Sequence, residues 1–177
     1  MFKKIVIGLV VLVAIVLIVA SMQPAEFKVS RSLSIDAPAA KIFNNINDVK
    51  LYQAWSPFAK MDPNMTMTYS AMTSGVGAAV TWDSKANAGS GTMTIAESTA
   101  PSRVLFNLDF SKPMAASDQA EFTLVPNGKS TVVTWTMSGK NNLIAKTFHL
   151  FINMDKMLGG YFEDGLASLK AISEAKK

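Results

Sequence analysis

The chain contains no cysteine and a single histidine, His149. Thiol nucleophiles, disulfides, iron–sulfur clusters and thiolate zinc sites are therefore excluded, and a catalytic zinc site would need carboxylates for almost all its ligands. The missing cysteine also removes a bacterial lipoprotein anchor, and it leaves the redox compartment open. Runs of Lys or Arg are absent, as is any basic stripe interleaved with aromatics. The chain has 17 Lys and Arg against 13 Asp and Glu, and without Lys3 and Lys4 the balance is 15 against 13. No nucleic-acid partner is expected on that footprint. "GVG" at Gly75 and "GSG" at Gly89 lack the strand-then-helix setting of a phosphate loop and read as a bulge and a hairpin, so no cofactor is expected either.

What the chain does have begins at its N-terminus. From Ile5 to Ala20 no side chain is charged or polar, and Lys3 and Lys4 precede the run. As a helix it spans about 24 Å, a little short of the ~30 Å hydrocarbon core. An uncleaved anchor is favoured over a cleaved secretory signal, because the run is long for a signal core and lacks a clean Ala-x-Ala site. Lys3 and Lys4 predict a single-pass membrane protein with its domain on the extracytoplasmic side, although Lys28 and Arg31 weaken the contrast. Cleavage would instead give a secreted domain. The expected divisions are an anchor or signal segment at 1–22, a linker at 23–26, and one domain at 27–177, large enough to bury its own core.

In "EFKVSRSLSID", Phe27, Val29, Leu33 and Ile35 share one parity and predict a half-buried strand, with Arg31 on the buried side. A guanidinium there needs a carboxylate or a solvated cavity. "IDAPAAKIFNNI" predicts a helix starting at Asp36 or Ala37 with Pro38 in its first turn, and a second short helix runs from Val49 towards Trp55, ended by Pro57. Strand-like alternation follows at Met65, Met67 and Tyr69, at Val80 and Trp82, at Met93 and Ile95, at Val104 to Phe110, at Ala120 to Leu124, and at Val133 to Met137. "NAGSG" from Asn87, Pro101, Pro113 and "PNG" from Pro126 separate these runs at hairpin lengths, which predicts an antiparallel meander. From Phe151 onward the apolar residues recur at three or four, predicting one long amphipathic helix. Gly159, Gly160 and Gly165 within it cost roughly 1 kcal/mol each relative to alanine, which a close approach to the sheet would offset.

That order is an α+β helix-grip arrangement, a curved antiparallel sheet wrapped around a long C-terminal helix and preceded by an N-terminal transmembrane helix. The stretches "FKVSRSLSIDAPAAKIFNNINDVKLYQAWSPFAKMDP", "GVGAAVTWDS", "GSGTMTI", "STVVTWTMSG" and "DKMLGGYFEDGLASLK" resemble the polyketide cyclase/dehydrase-like branch of the SRPBCC (START-related) superfamily, from Phe27 to about Glu174. The resemblance implies an elongated apolar cavity between sheet and helix. It does not choose among the carriers, receptors, aromatases and cyclases of that superfamily.

No catalytic constellation is visible. His149 sits far from Ser56 and among apolar neighbours, and Asp83, Asp109 and Glu121 oppose the large apolar residues of their strands; Glu97 and Asp118 are the remaining carboxylates of the meander. Of the residue types that orient a polyketide in the resembling cyclases, Arg31, Tyr69 and Tyr161 are the available ones. The expected ligand-binding set is Arg31, Trp55, Phe58, Met67, Tyr69, Trp82, Met93, Phe106, Trp135, Met137, Tyr161 and Phe162; aromatic and Met residues on an inner face are more often plain core than pocket, and Arg31 is more often a salt-bridged or strand-end residue than a ligand contact. "WSPFAKMDP" is read as the rim of the cavity with Ser56 structural, and the competing reading makes Trp55 a plug between helix and sheet. Two functions remain: a membrane-tethered binding or carrier domain for a lipid-like or aromatic small molecule, and a cyclase or aromatase acting in the same cavity. A partner-binding accessory role is a third, weaker option.

Overall fold

A computed structural model describes residues 2–86 and 88–175, so Asn87 of the expected hairpin and the terminal residues of the expected divisions lie outside the described residues. The alternation around Phe27 forms β1 (Glu26–Ile35), an edge strand of a seven-stranded antiparallel sheet. After it come α2 (Ala39–Ile46), α3 (Val49–Trp55) and a 3-10 turn (Phe58–Lys60). The meander is β2 (Thr66–Tyr69), β3 (Ala79–Asp83), β4 (Ser90–Thr99), β5 (Arg103–Lys112), β6 (Ala116–Asn127) and β7 (Ser130–Lys140), in sheet order β1-β7-β6-β5-β4-β3-β2. The first helix, α1 (Phe2–Ser21), precedes the sheet, and α4 (Leu143–His149) and α5 (Met154–Glu174) follow it.

The expected long C-terminal helix thus begins at Met154 rather than near Phe151, and a separate short helix precedes it. Both starts are set by asparagine caps. Asn142 accepts from the amide of Ala145 at 2.8 Å, and Asn153 accepts from the amide of Lys156 at 2.9 Å. The glycines of α5 mark its approach to the sheet. A Cβ on Gly159 would strike the Arg31 guanidinium, and one on Gly165 would lie 2.7 Å from the Trp135 ring, whereas Gly160 faces open space.

One half of the sheet's helix-facing side is filled. Ile42, Phe43 and Ile46 from α2 and Val49, Tyr52 and Trp55 from α3 pack on Phe106, Phe122, Leu124 and Trp135, and α5 adds Phe162, Leu166 and Leu169. Trp135 stacks on Phe162 with centroids 4.3 Å apart and is edge-on to Trp55 at 5.8 Å. A hollow between sheet and helix is expected only where large side chains do not fill it, and here seven aromatics occupy this end.

Arg31 has its carboxylates, but they come from α5. Its Nη1 and Nη2 each donate to Asp155 at 2.9 Å, its Nε donates to Glu163 at 2.8 Å, and the remaining N–H groups reach the carbonyls of Ser30 and Asp155. With every donor committed, Arg31 is a clamp between β1 and α5 rather than a ligand contact. The Asp155 and Glu163 side chains are 64% exposed. Removing the arginine leaves them to water, so Arg31→Ala is expected to destabilise far less than the ~3–5 kcal/mol typical of a broken buried pair. Chemical denaturation checks this, and a loss of that size would show that the carboxylates are effectively dry.

Candidate functional site

The other end of the helix-facing side is open. Register places Phe27, Gly139, Asp118, Leu108, Met93, Val80 and Tyr69 in one row across the sheet, and Phe110, Gly91, Trp82 and Met67 in the next. Phe27, Met67, Tyr69, Trp82, Leu108 and Phe110 are only partly buried, with Met154 of α5 beside them. Trp82 lies across Gly91, where a Cβ would fall 2.7 Å from the ring, and meets Phe110 edge-on at 5.7 Å. Its indole nitrogen donates to the carbonyl of Ala88 at 3.2 Å, so the ring is fixed. Tyr69 donates to the Met67 sulfur at 3.4 Å. The result is an apolar strip of aromatic and thioether side chains running from β1 to β2.

One charged side chain interrupts it. Asp118 stands between Leu108 and Gly139 in the row, close enough to Phe27 that a Cβ on Gly139 would strike both. Among the described residues its carboxylate accepts no hydrogen bond, and desolvation raises its pKa to about 6. The folded-state pKa lies above the unfolded value of ~3.9, so ionisation opposes folding, and stability should rise as the pH falls from above 6 towards 4. Asp118→Asn is expected to add on the order of 1 kcal/mol at pH 8, after allowance for solvent screening, and nothing at pH 4. Thermal unfolding at the two pH values tests this. An unchanged difference between wild type and variant would mean that the carboxylate is solvated in the fold.

The expected site residues divide three ways. Met67, Tyr69 and Trp82 meet at the open end, with Met93 and Met137 nearly buried beside them. Trp55, Phe106, Trp135 and Phe162 are core. The rim role expected for Trp55 is therefore corrected: the ring is fully buried, and its Nε1 donates to the carbonyl of Asn45 at 3.0 Å. Phe58 and Tyr161 pair at 5.5 Å on the flank of the helix, beside a surface groove of about 590 Å³ lined by Pro57, Lys60 and the outer side of α5. Ser56 is sealed inside at the end of α3 and cannot reach a substrate, while Asp62 caps its turn by accepting from the amide of Asn64 at 2.9 Å. Phe27, Leu108, Phe110 and Asp118 complete the open end and were not expected there. Their strand parity, shared with Val29, Phe106 and Ala120, was the available signal.

Two further features bear on chemistry. The Nε1 of Trp135 is the buried side-chain donor left without a partner among the described residues, inside the aromatic packing of the filled half. A hollow of about 570 Å³ lies over the ends of β1, β7, β6 and β5. Its lining includes Asn107, Asp109, Ser117, Gln119 and Ser138, all on the parity that faces away from α5. Phe27, Asp118 and Gly139 of the first row line it as well, so it reaches round the end of the sheet to the strip. No cluster of three or more potential metal-ligating side chains occurs among the described residues.

The profile of a family described as polyketide cyclase / dehydrase and lipid transport matches residues 26–174. Among solved structures, protein CV1439 from Chromobacterium violaceum is 14% identical and superposes with a TM-score of 0.61 over 87% of this chain and 100% of its own. The Aha1 dimer from Colwellia psychrerythraea is 17% identical, with a TM-score of 0.59 over 85% of this chain and 98% of its own. Ginseng major latex-like protein 151 from Panax ginseng is 12% identical, with a TM-score of 0.58 over 86% and 100%. At these identities the likeness is one of fold, and it fits the helix-grip arrangement. No curated protein matches the chain.

Proposed function

Because the chain belongs to the polyketide cyclase/dehydrase and lipid transport family, we propose that it is a membrane-tethered binding or carrier domain for a hydrophobic small molecule of lipid-like or aromatic type. The observation that carries this reading is the open apolar strip, where Phe27, Leu108, Phe110, Trp82 and Met67 remain partly exposed on the side of the sheet that faces the helix. Soluble domains seldom leave such a contiguous strip uncovered without a use for it. Thioethers allow the strip to fit more than one shape. The tether is α1, an apolar helix long enough to cross a bilayer and almost wholly exposed, although a signal sequence has the same properties.

The test is binding of a dansyl-labelled fatty acid to the full chain in lipid nanodiscs. Leu108→Glu sets a charge in the strip at a partly buried position and is expected to weaken binding tenfold or more. Undiminished binding by a folded Leu108→Glu protein would remove the strip as the site.

Asp118 favours a second reading, that of a cyclase-like enzyme. A carboxyl with a pKa of about 6 in an apolar cleft is suited to accept and return a proton. An Asp118→Asn protein that binds normally but loses turnover of a poly-β-ketone substrate would establish that reading, and equal turnover would end it.

A further inference from the structure

We propose that α4 and the turn after it form a docking face that rests in the headgroup–acyl boundary of the leaflet from which α1 emerges. This rests on reading α1 as a membrane span. Leu143, Ile144, Phe148, Phe151 and Ile152 are all exposed, Phe151 to 76%. The amides of Phe151 and Ile152 both donate to the carbonyl of Phe148 at 3.0 Å, which continues the helical turn past His149. Ile144, Phe148, Phe151 and Ile152 therefore project on one side of the helix, spaced at four, seven and eight residues. A short amphipathic helix in a soluble domain turns this face inward, but here it turns outward.

Its depth is fixed by contact with the end of α1. Lys146 Nζ donates to the carbonyl of Ser21 at 3.4 Å, the Asn141 amide donates to Ala25 O at 2.8 Å, and the Asn141 side chain donates to Pro24 O at 3.2 Å. Ser21 is where the apolar run of α1 stops, so α4 lies at the level of the interface whenever α1 is in the bilayer.

The charge pattern agrees with a lipid surface. No Asp or Glu occurs between Glu121 and Asp155, while Lys140, Lys146 and Lys156 lie in or beside the segment, with Glu26 opposite Lys140 in the β1–β7 register and Asp155 next to Lys156. A soluble partner or a second copy would have no need of a face held at the foot of an apolar helix.

The absence of cysteine allows single labels without background. An environment-sensitive fluorophore is attached to full-length Phe148→Cys, Phe151→Cys, Leu12→Cys and Lys129→Cys proteins in vesicles of phosphatidylcholine and phosphatidylglycerol carrying nitroxide lipids. Lys129 lies in the β6–β7 turn, at the opposite end of β7 from α4. Labels at 148 and 151 should be quenched by shallow nitroxides at least threefold more than the label at 129, and the label at 12 by deep ones. Quenching at 12 but only background at 148 and 151 overturns the docking face and leaves the span standing. Background at all three removes both. Disulfide-linked dimers of unlabelled Phe151→Cys protein, shielded from the nitroxides, would assign the face to a second copy and overturn the proposal.

Discussion

Trp55→Ala is expected to destabilise the domain by about 3–5 kcal/mol, enough to unfold much of the population of an ordinary domain. The indole is fully buried, with Tyr52, Trp135 and Phe122 around it at centroid distances of 4.6, 5.8 and 5.9 Å. These rings are pinned by one another, so the void left by the indole cannot collapse. The carbonyl of Asn45 loses its donor at the same time. Chemical denaturation followed by circular dichroism measures the loss. A cost below 1 kcal/mol would return Trp55 to the edge of the domain, where a ligand could reach it.

Gly165→Leu should cost about 3 kcal/mol for the opposite reason. A Cβ at Gly165 would lie 2.7 Å from the Trp135 ring and 3.0 Å from Cδ of Pro57, closer than ordinary packing allows. Trp135 cannot retreat, since Phe162 stacks on one side and Trp55, Phe58 and Phe122 crowd the other. Overpacking of this kind typically costs 1–3 kcal/mol, and a full leucine side chain belongs at the upper end. Gly160→Ala is the internal control: nothing lies near its Cβ, and the gain in helix propensity should stabilise by roughly 0.5–1 kcal/mol. Equal stability of Gly165→Leu and wild type would mean that α5 does not close on Trp135.

Most of the scaffold was legible because it rests on local pattern. The parity of Phe27, Val29, Leu33 and Ile35 defined β1, and Pro57 set the end of α3 at Trp55. α4 escaped notice because its apolar residues face outward over only seven positions, too few for a periodic signal. The partners of Arg31 lie 124 and 132 residues along the chain, and only the docking of α5 reveals them. Asp118 shares the parity of Ala120 and Phe122, yet a carboxylate two residues before an alanine ordinarily signals the solvated end of a strand. Its position in the row with Phe27 and Leu108 comes from cross-strand register, which no single strand displays. The same holds for the division of the apolar face into a filled half and an open half, since the filling comes from α2 and α3.

The stretch between Ser21, the last residue of α1, and Glu26, the first of β1, is short. Fully extended, such a linker reaches only some 15–18 Å, and Asn141 holds its carbonyls close to the domain. With α1 in a bilayer the domain is on a short leash. It cannot travel to a facing membrane, and a cargo taken up here would have to be collected by something that approaches this surface. Loading of such a cargo would be constrained in the same way, because Phe27 and the open strip lie at the end of the sheet nearest α1. The composition of one leaflet would then act as the first filter on what the strip can hold, and solubility in water would matter less than partitioning into that leaflet.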